Sequence, residues 1–275
     1  MTRRLNYWLL ALLVVVGVPF YWYLIDPGHG QTQAKPVTMA QLRELAGSIE
    51  GPLPTKVRVE LIGYRSVMRD RLVAGWGLRP TPYAIHSYQL IVPGEKPIVI
   101  DAGTSPEVAR DLDVENFSSS AQKRVNRALA DAGHVVILQD GPLRNGGRVE
   151  GQDGADRSQQ PTASAPHALA PGVVVIPADG LGPDAKMVYV RLGNGREFLF
   201  AGPAALVDES LRSLRPPAKL AARADVPDYR TESKEWLMTI NALRQDAPHM
   251  TVVTGGDPAP ASHTEKWFFV SRARD

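Results

Sequence analysis

Gly133-His-Val-Val-Ile-Leu138-Gln139-Asp140-Gly141-Pro142-Leu143-Arg144-Asn145-Gly146-Gly147 joins a short, fully apolar strand, Val135 to Leu138, to a polar loop rich in glycine. Upstream, Ser119 and Gln122 open a helix that carries Val125 and Leu129 inside and ends at Gly133, glycine being the usual residue just past a helix end. Before that helix, Ile98 to Ile100 is a second apolar strand, which stops at Asp101-Ala-Gly103. Tyr83 to Val92 precedes it across a Pro93-Gly94 turn, and Lys56 to Leu61 alternates, with Val57, Val59 and Leu61 on one side, as half-buried strands do. Thr38 and Gln41 are a capping pair for a helix with Met39, Leu42, Leu45 and Ile49 on one face. Downstream, Arg148 to Pro166 is polar and reads as a surface loop. Val173 to Ile176 is a buried strand, and Met187 to Leu192 with Arg196 to Phe200 form a hairpin around Gly193-Asn194-Gly195, where Asn-Gly supplies the positive φ angles of a tight turn. Glu232 to Gln245 is a helix with Trp236, Leu237, Ile240 and Leu243 on one side, and Met250 to Val253 is a last strand. Hairpins alternating with single helices suit sheets covered by helices on their outer faces, an α+β arrangement.

The composition narrows what such a domain does. With 275 residues, 44% hydrophobic and 22% charged, the chain can bury one large core. A net charge of +2 without a long basic run does not indicate a nucleic-acid partner. The absence of cysteine removes disulfides, thiolate nucleophiles, iron–sulfur clusters and Cys-type zinc sites together. No G-x-S-x-G elbow, H-E-x-x-H or P-loop is present.

Arg3 and Arg4 precede Tyr7 to Ile25, a stretch without a charge and about the 20 residues needed to cross a bilayer. Tyr7 and Trp8 at one end and Tyr21, Trp22 and Tyr23 at the other sit where amphipathic rings meet two interfaces. A cleaved signal peptide is the competing reading, but bulky aromatics occupy the cleavage region. The chain thus divides into a membrane anchor (1–25) with a kink at Pro19, a polar tether (26–37) and a single domain (38–275). The arginine pair predicts a single-pass membrane protein with the domain outside the cytoplasm, on the periplasmic side in a Gram-negative cell.

The order of landmarks resembles the metallo-β-lactamase superfamily over 83–257. Ile98 to Gly103 is similar to the strand ending in Asp-x-Gly, and Gln139 to Gly147 falls where the family writes His-x-His-x-Asp-His followed by Gly-Gly. Gly180-Leu181-Gly182-Pro183-Asp184 stands in place of Gly-His-Thr-Pro-Gly. Phe198-Leu-Phe-Ala-Gly202 is followed by Pro203 in place of a metal-bridging Asp, and Gly255-Gly256-Asp257 resembles a Gly-His-Asp segment without its histidine. The resemblance implies a four-layer αβ/βα sandwich behind one N-terminal transmembrane helix, and loops that in the family hold one or two metal ions.

Those loops lack the ligands. Gly141, Leu143, Leu181, Pro203 and Gly256 have no side-chain donor, Gln139 is a poor ligand, and Arg144 is a permanent cation. Asp101 is expected to brace backbone amides beside the old site, and Asp257 to do likewise. Asp140 and Asp179 flank the emptied positions and read as solvated loop carboxylates by default. His86, His134 and His249 read as surface or satisfied core histidines.

Two functions remain. In the first, the chain is a non-catalytic, membrane-anchored ligand-binding or regulatory module, a pseudoenzyme without a cofactor. Its partners are the membrane and a small molecule or protein at the vacated site, made more apolar by Leu143, Leu181 and Pro203 and carrying one cation in Arg144. In the alternative it is a hydrolase of the superfamily with a rebuilt, zinc-dependent site drawn from Asp140, Asp179 and His134.

Overall fold

The computed structural model of the chain describes residues 2–28, 32–146 and 164–266. Gly147, most of the expected 148–166 loop (148–163) and Gly30 of the tether lie outside them. Two five-stranded sheets face each other. The first has the order β10-β1-β2-β3-β4, built from β1 (Lys56–Met68), β2 (Pro80–Ile91), β3 (Ile98–Ile100), β4 (His134–Val136) and β10 (Glu265–Lys266). The second runs β5 (His167–Ala170), β6 (Val173–Pro177), β7 (Lys186–Arg191), β8 (Glu197–Gly202) and β9 (Thr251–Thr254) in sequence order.

Alternation along the strands assigns each residue to a layer. Val57, Val59, Tyr88, Leu90, Ile98 and Ile100 meet Val173, Val175, Val188, Val190, Phe198 and Phe200 between the sheets. The other face of the first sheet packs Ile62, Ile85 and Val99 on Val125 and Ala128 of α5 (Ser119–Asp131). Behind the second sheet, Met39 and Leu42 of α3 (Met39–Ala46) and Trp236, Leu237, Ile240 and Leu243 of α7 (Tyr229–Asp246) cover Val174, Ile176, Met187 and Tyr189. The expected four layers are all present.

Several details differ from the sequence reading. β1 continues to Met68 because a bulge between Leu61 and Gly63 re-aims the strand, and its side of the sheet gains a bridge from Tyr64 to Glu115. A side chain at Gly63 would lie 2.7 Å from Val114, so glycine permits that approach. Helix α5 is capped by Ser118, which accepts from the Ala121 amide at 3.2 Å; Gln122 turns inward instead. In the 193–195 hairpin turn only Gly195 has positive φ (81°), and Asn194 accepts from the Arg196 amide at 3.1 Å. The short helices α4 (Pro106–Asp111) and α6 (Asp208–Ser213) and the strands β5 and β10 had no periodic signal to announce them.

The apolar N-terminal segment is one continuous helical rod, comprising α1 (Thr2–Leu12), a wider π turn at Leu13–Gly17, α2 (Val18–Phe20) and a second π segment at Tyr21–Ile25. The π turn just before Pro19 makes room for a residue that has no N–H and whose ring would press on the carbonyl four residues back. Leu5–Ile25 is long and apolar enough to span a membrane, and only its last residues, Leu24 and Ile25, are half-buried beside the domain. The segment expected to be a tether is held against α7. Lys35 pairs with Glu232 at 2.6 Å and Glu235 at 2.7 Å, and its amide donates to Thr239 Oγ1 at 2.7 Å.

Candidate functional site: an arginine at the strand-end edge

The strand ends bring the loops together. β3 and β4 run parallel with Ile100 beside Val136, so Asp101 and Ile137 leave the first sheet at the same edge. β8 and β9 are also parallel, with Gly202 beside Thr254, which puts Pro203 and Gly255 at the matching edge of the second sheet. The two edges are tied directly: the Lys186 amide donates to the Leu138 carbonyl at 2.8 Å, and a side chain at Gly202 would touch Leu138 at 2.9 Å.

Arg144 sits in this seam. Its Nη1 donates to Asp101 Oδ2 at 2.5 Å, and its Nη2 to Tyr83 Oη at 3.1 Å and to the Gly255 carbonyl at 2.9 Å. The other Asp101 oxygen accepts from the Leu138 amide at 2.9 Å. The Asp101 side chain is 2% exposed and that of Arg144 17%. Asp101 adopts φ of 58°, uncommon for a residue with a Cβ. Burial pushes the Asp101 carboxyl up, against the pull of Arg144 and the Leu138 amide. Burial also works against the Arg144 charge, but Asp101 and Tyr83 together outweigh it and hold the guanidinium proton above its ordinary range.

The backbone around the pair is stitched loop to loop. Ala102 N donates to the Arg144 carbonyl at 2.6 Å and Gly146 N to the Gly103 carbonyl at 2.9 Å, while Thr104 Oγ1 donates to the Pro142 carbonyl at 2.7 Å. Buried Gln122 donates to the Ala102 carbonyl at 2.9 Å and accepts from the Thr104 amide at 3.1 Å. The sequence places Gln122 in the first turn of a helix but carries no sign that its side chain is buried on the loop side. Tyr83 and Tyr88 carry only a strand pattern in the sequence, and His86, expected on the surface or in the core, lies in the core. His86 is buried, and its pKa is lowered to about 4 by burial first and the nearby Arg144 charge second. Burial, and then the Asp101 charge, raise the Tyr88 hydroxyl.

The other expected positions fall as follows. Gln139 Nε2 donates to the Leu181 carbonyl at 3.1 Å, so those two loops meet. Gly141 accepts from the Arg144 amide at 2.9 Å in a tight turn. Gly256 lies under the Tyr83 ring, where an added Cβ would be 2.3 Å from its Cζ. Leu143 packs toward α5 with the Ile62 cluster, Leu181 is fully buried beneath the helices of the second sheet, and Pro203 is buried. These three therefore do not line an open apolar pocket with a free cation, because Leu181 and Leu143 belong to separate cores and Arg144 is already paired. Asp140 is exposed and accepts from the Gly141 amide and from Asn145, both at 2.9 Å. Asp179 is exposed, and Asp257 accepts from the Asp208 amide at 2.8 Å and Thr254 Oγ1 at 2.6 Å. His134 does not join the group: it opens β4 beside Ile98, at the end of the strand away from Asp101. His249 is exposed.

The donor set does not suit a metal dication. Among the described residues no three His, Cys, Asp or Glu side chains come together as a ligand group. Asp101, the one carboxylate buried in the seam, already holds a guanidinium and an amide, and a zinc ion needs about four lone pairs arranged around it.

No family model matches the sequence, and no curated protein matches it. Solved structures do match by shape. A quorum-quenching N-acyl homoserine lactone lactonase superposes with a TM-score of 0.59 at 11% identity, over 75% of this chain and 93% of that one. A probable metal-dependent hydrolase from Staphylococcus aureus gives 0.57 at 9% identity, over 79% and 99%. A dizinc quorum-quenching lactonase in complex with a product gives 0.51 at 12%, over 76% and 92%. At such identities the likeness concerns architecture alone. The chain has the metallo-β-lactamase fold, with a buried arginine–aspartate pair at the edge where the strand-end loops meet.

Proposed function

We propose that this is a membrane-anchored, non-hydrolytic protein of metallo-β-lactamase fold that serves as a binding or regulatory module. The observation that carries the reading is Arg144, whose guanidinium bridges Asp101, Tyr83 and Gly255. A metal in the family's position would draw its loops together through charged and imidazole ligands. Here one internal cation ties Asp101 to the Gly255 loop and Tyr83, so the scaffold is held without a Lewis acid or an activated water. The paired guanidinium and the buried Leu181 shift any ligand or partner contact from the interior of the old site to its rim.

The solved neighbours named as lactonases and hydrolases favour a second reading, a zinc-dependent hydrolase with a rebuilt site. Asp140 and Asp179, both exposed, are its remaining carboxylates. The two readings separate in an assay of the full-length protein in detergent with acyl-homoserine lactone, aryl ester and β-lactam substrates, with and without added zinc. The non-hydrolytic reading expects turnover no greater than that of a boiled control in every case. Zinc-dependent turnover that falls at least tenfold on Asp140→Asn or Asp179→Asn would replace it with the rebuilt hydrolase.

A further inference from the structure

The end of the apolar helix is fixed to a particular face of the domain. The Gly75 amide donates to the Leu24 carbonyl at 2.8 Å, and Lys219 Nζ lies 4.0 Å above the Trp22 ring. Asp26, which ends the helix, is buried and lies 3.8 Å from Arg230 Nη1, and Arg230 Nη2 also donates to the Asp26 carbonyl. The segments that receive the helix are joined to one another. Ala74 N donates to the Pro216 carbonyl at 2.8 Å, and Ala218 N to the Asp70 carbonyl at 2.9 Å. A helix spanning a bilayer leaves the hydrocarbon within a turn of its last apolar residue, so whatever is bonded to Leu24 and Trp22 lies within the headgroup layer's reach.

The residues presented there have interfacial chemistry. Outside the N-terminal helix, the large apolar side chains exposed among the described residues are Ile49, Leu61, Met68, Leu78 and Leu220. The two most exposed, Leu220 at 71% and Leu78 at 49%, both belong to these segments, and Met68 adjoins them. Arg71, Arg79 and Lys219 are exposed beside them, and the Arg69 guanidinium stacks 5.1 Å from the Trp76 ring. The acid in the 69–79 loop, Asp70, is buried. Cations, a tryptophan and protruding leucines together are the signature of a surface resting on anionic headgroups with its apolar tips below them.

We propose that the 68–79 loop and the 215–221 segment form a second membrane contact, a lipid-facing surface on which the domain lies against an anionic bilayer. This rests on the reading of the N-terminal helix as a membrane anchor. The surface connects to the site: Leu72, Val73 and Trp76 pack with Tyr83 in one cluster, and Tyr83 is a partner of Arg144. The domain is thereby held in one orientation, with the Arg144 seam one packing layer from the lipid surface.

The cysteine-free chain allows a clean test. Single variants Leu220→Cys, Leu78→Cys, Val14→Cys and His134→Cys of the full-length protein are nitroxide-labelled and placed in nanodiscs of phosphatidylcholine with phosphatidylglycerol. Accessibility to lipid-soluble oxygen is then compared with accessibility to an aqueous nickel chelate. The labels at 220 and 78 should show an oxygen-to-nickel ratio several-fold above that at 134, falling toward it when phosphatidylglycerol is omitted or when Arg71, Arg79 and Lys219 are all changed to Glu. Water-like ratios at 220 and 78 with a lipid-like ratio at 14 would overturn the lipid-facing surface and leave the anchor standing. A water-like ratio at 14 as well would remove both. Water-like ratios at 220 and 78 in nanodiscs, with protection only in native membranes, would mean that a protein covers this face and would also overturn the proposal.

Discussion

A dication collects lone pairs from any direction, whereas a guanidinium donates along fixed N–H vectors in one plane. Arg144 meets that demand with Asp101, Tyr83 and the Gly255 carbonyl, and the consequence is mutual dependence. Arg144→Leu leaves Asp101 charged, buried and without its cation, which typically costs about 3–5 kcal/mol. Asp101→Asn leaves the converse. The double variant should recover part of this, with a coupling of about 1–3 kcal/mol in urea unfolding of the domain. Strictly additive losses would show that the pair is not a unit. His86 supplies a pH dependence of definite sign. Its folded pKa of about 4 lies below the ordinary 6.5, so the unfolded chain takes up a proton first as the solution is acidified. Stability present above about pH 6.5 is then lost progressively down to about pH 4, by about 3 kcal/mol at full extent. His86→Gln should lose less stability than the parent over that interval by about that amount. Equal losses would mean that His86 titrates normally.

Elements show why a side chain cannot simply be placed at Gly256. Gly256 follows β9 and lies so close beneath Tyr83 of β2 that even a methyl group would overlap the ring. Gly256→Ala should therefore force Tyr83 off Arg144 and destabilise the domain by about 1–3 kcal/mol, and Gly256→His should do at least as much. In a Tyr83→Ala background the same change should cost well under half as much. An undiminished cost there would locate the conflict elsewhere. The strand-and-helix skeleton was legible because its signals are local: Val57 and Val59 alternate, Trp236, Leu237, Ile240 and Leu243 share a helical face, and Thr38 caps α3 as read. What stayed hidden depends on partners distant in sequence. The bulge that carries β1 past Leu61 is set by contacts with residues 114–117. The parallel pairing of β10 with β1 joins residues some 200 positions apart, and α6 receives its amide partner from Asp257.

For the whole molecule, the residues of the strand-end loops could be read from the sequence, and what holds those loops together could not. Gln139 to Arg144 can be read position by position, whereas the Arg144–Asp101 bond requires knowing that β3 and β4 end at the same edge. The apolar helix was equally plain, but its fixed attachment through Gly75, Lys219 and Arg230 was not, since none of these lies in a motif. Arg3 and Arg4 ahead of the span predict that the domain lies outside the cytoplasm. Protease added to intact spheroplasts expressing the chain should digest the domain to a short anchor fragment, and full protection would reverse the orientation. The central claim, that an internal guanidinium rather than a metal ion ties the strand-end loops together, is tested most directly by elemental analysis of the full-length protein after dialysis without chelator. The account predicts far less than one zinc, iron or manganese per chain, unchanged by supplying zinc during growth. Close to one metal per chain, bound in the unmodified protein and lost together with hydrolytic turnover on adding chelator, would contradict it.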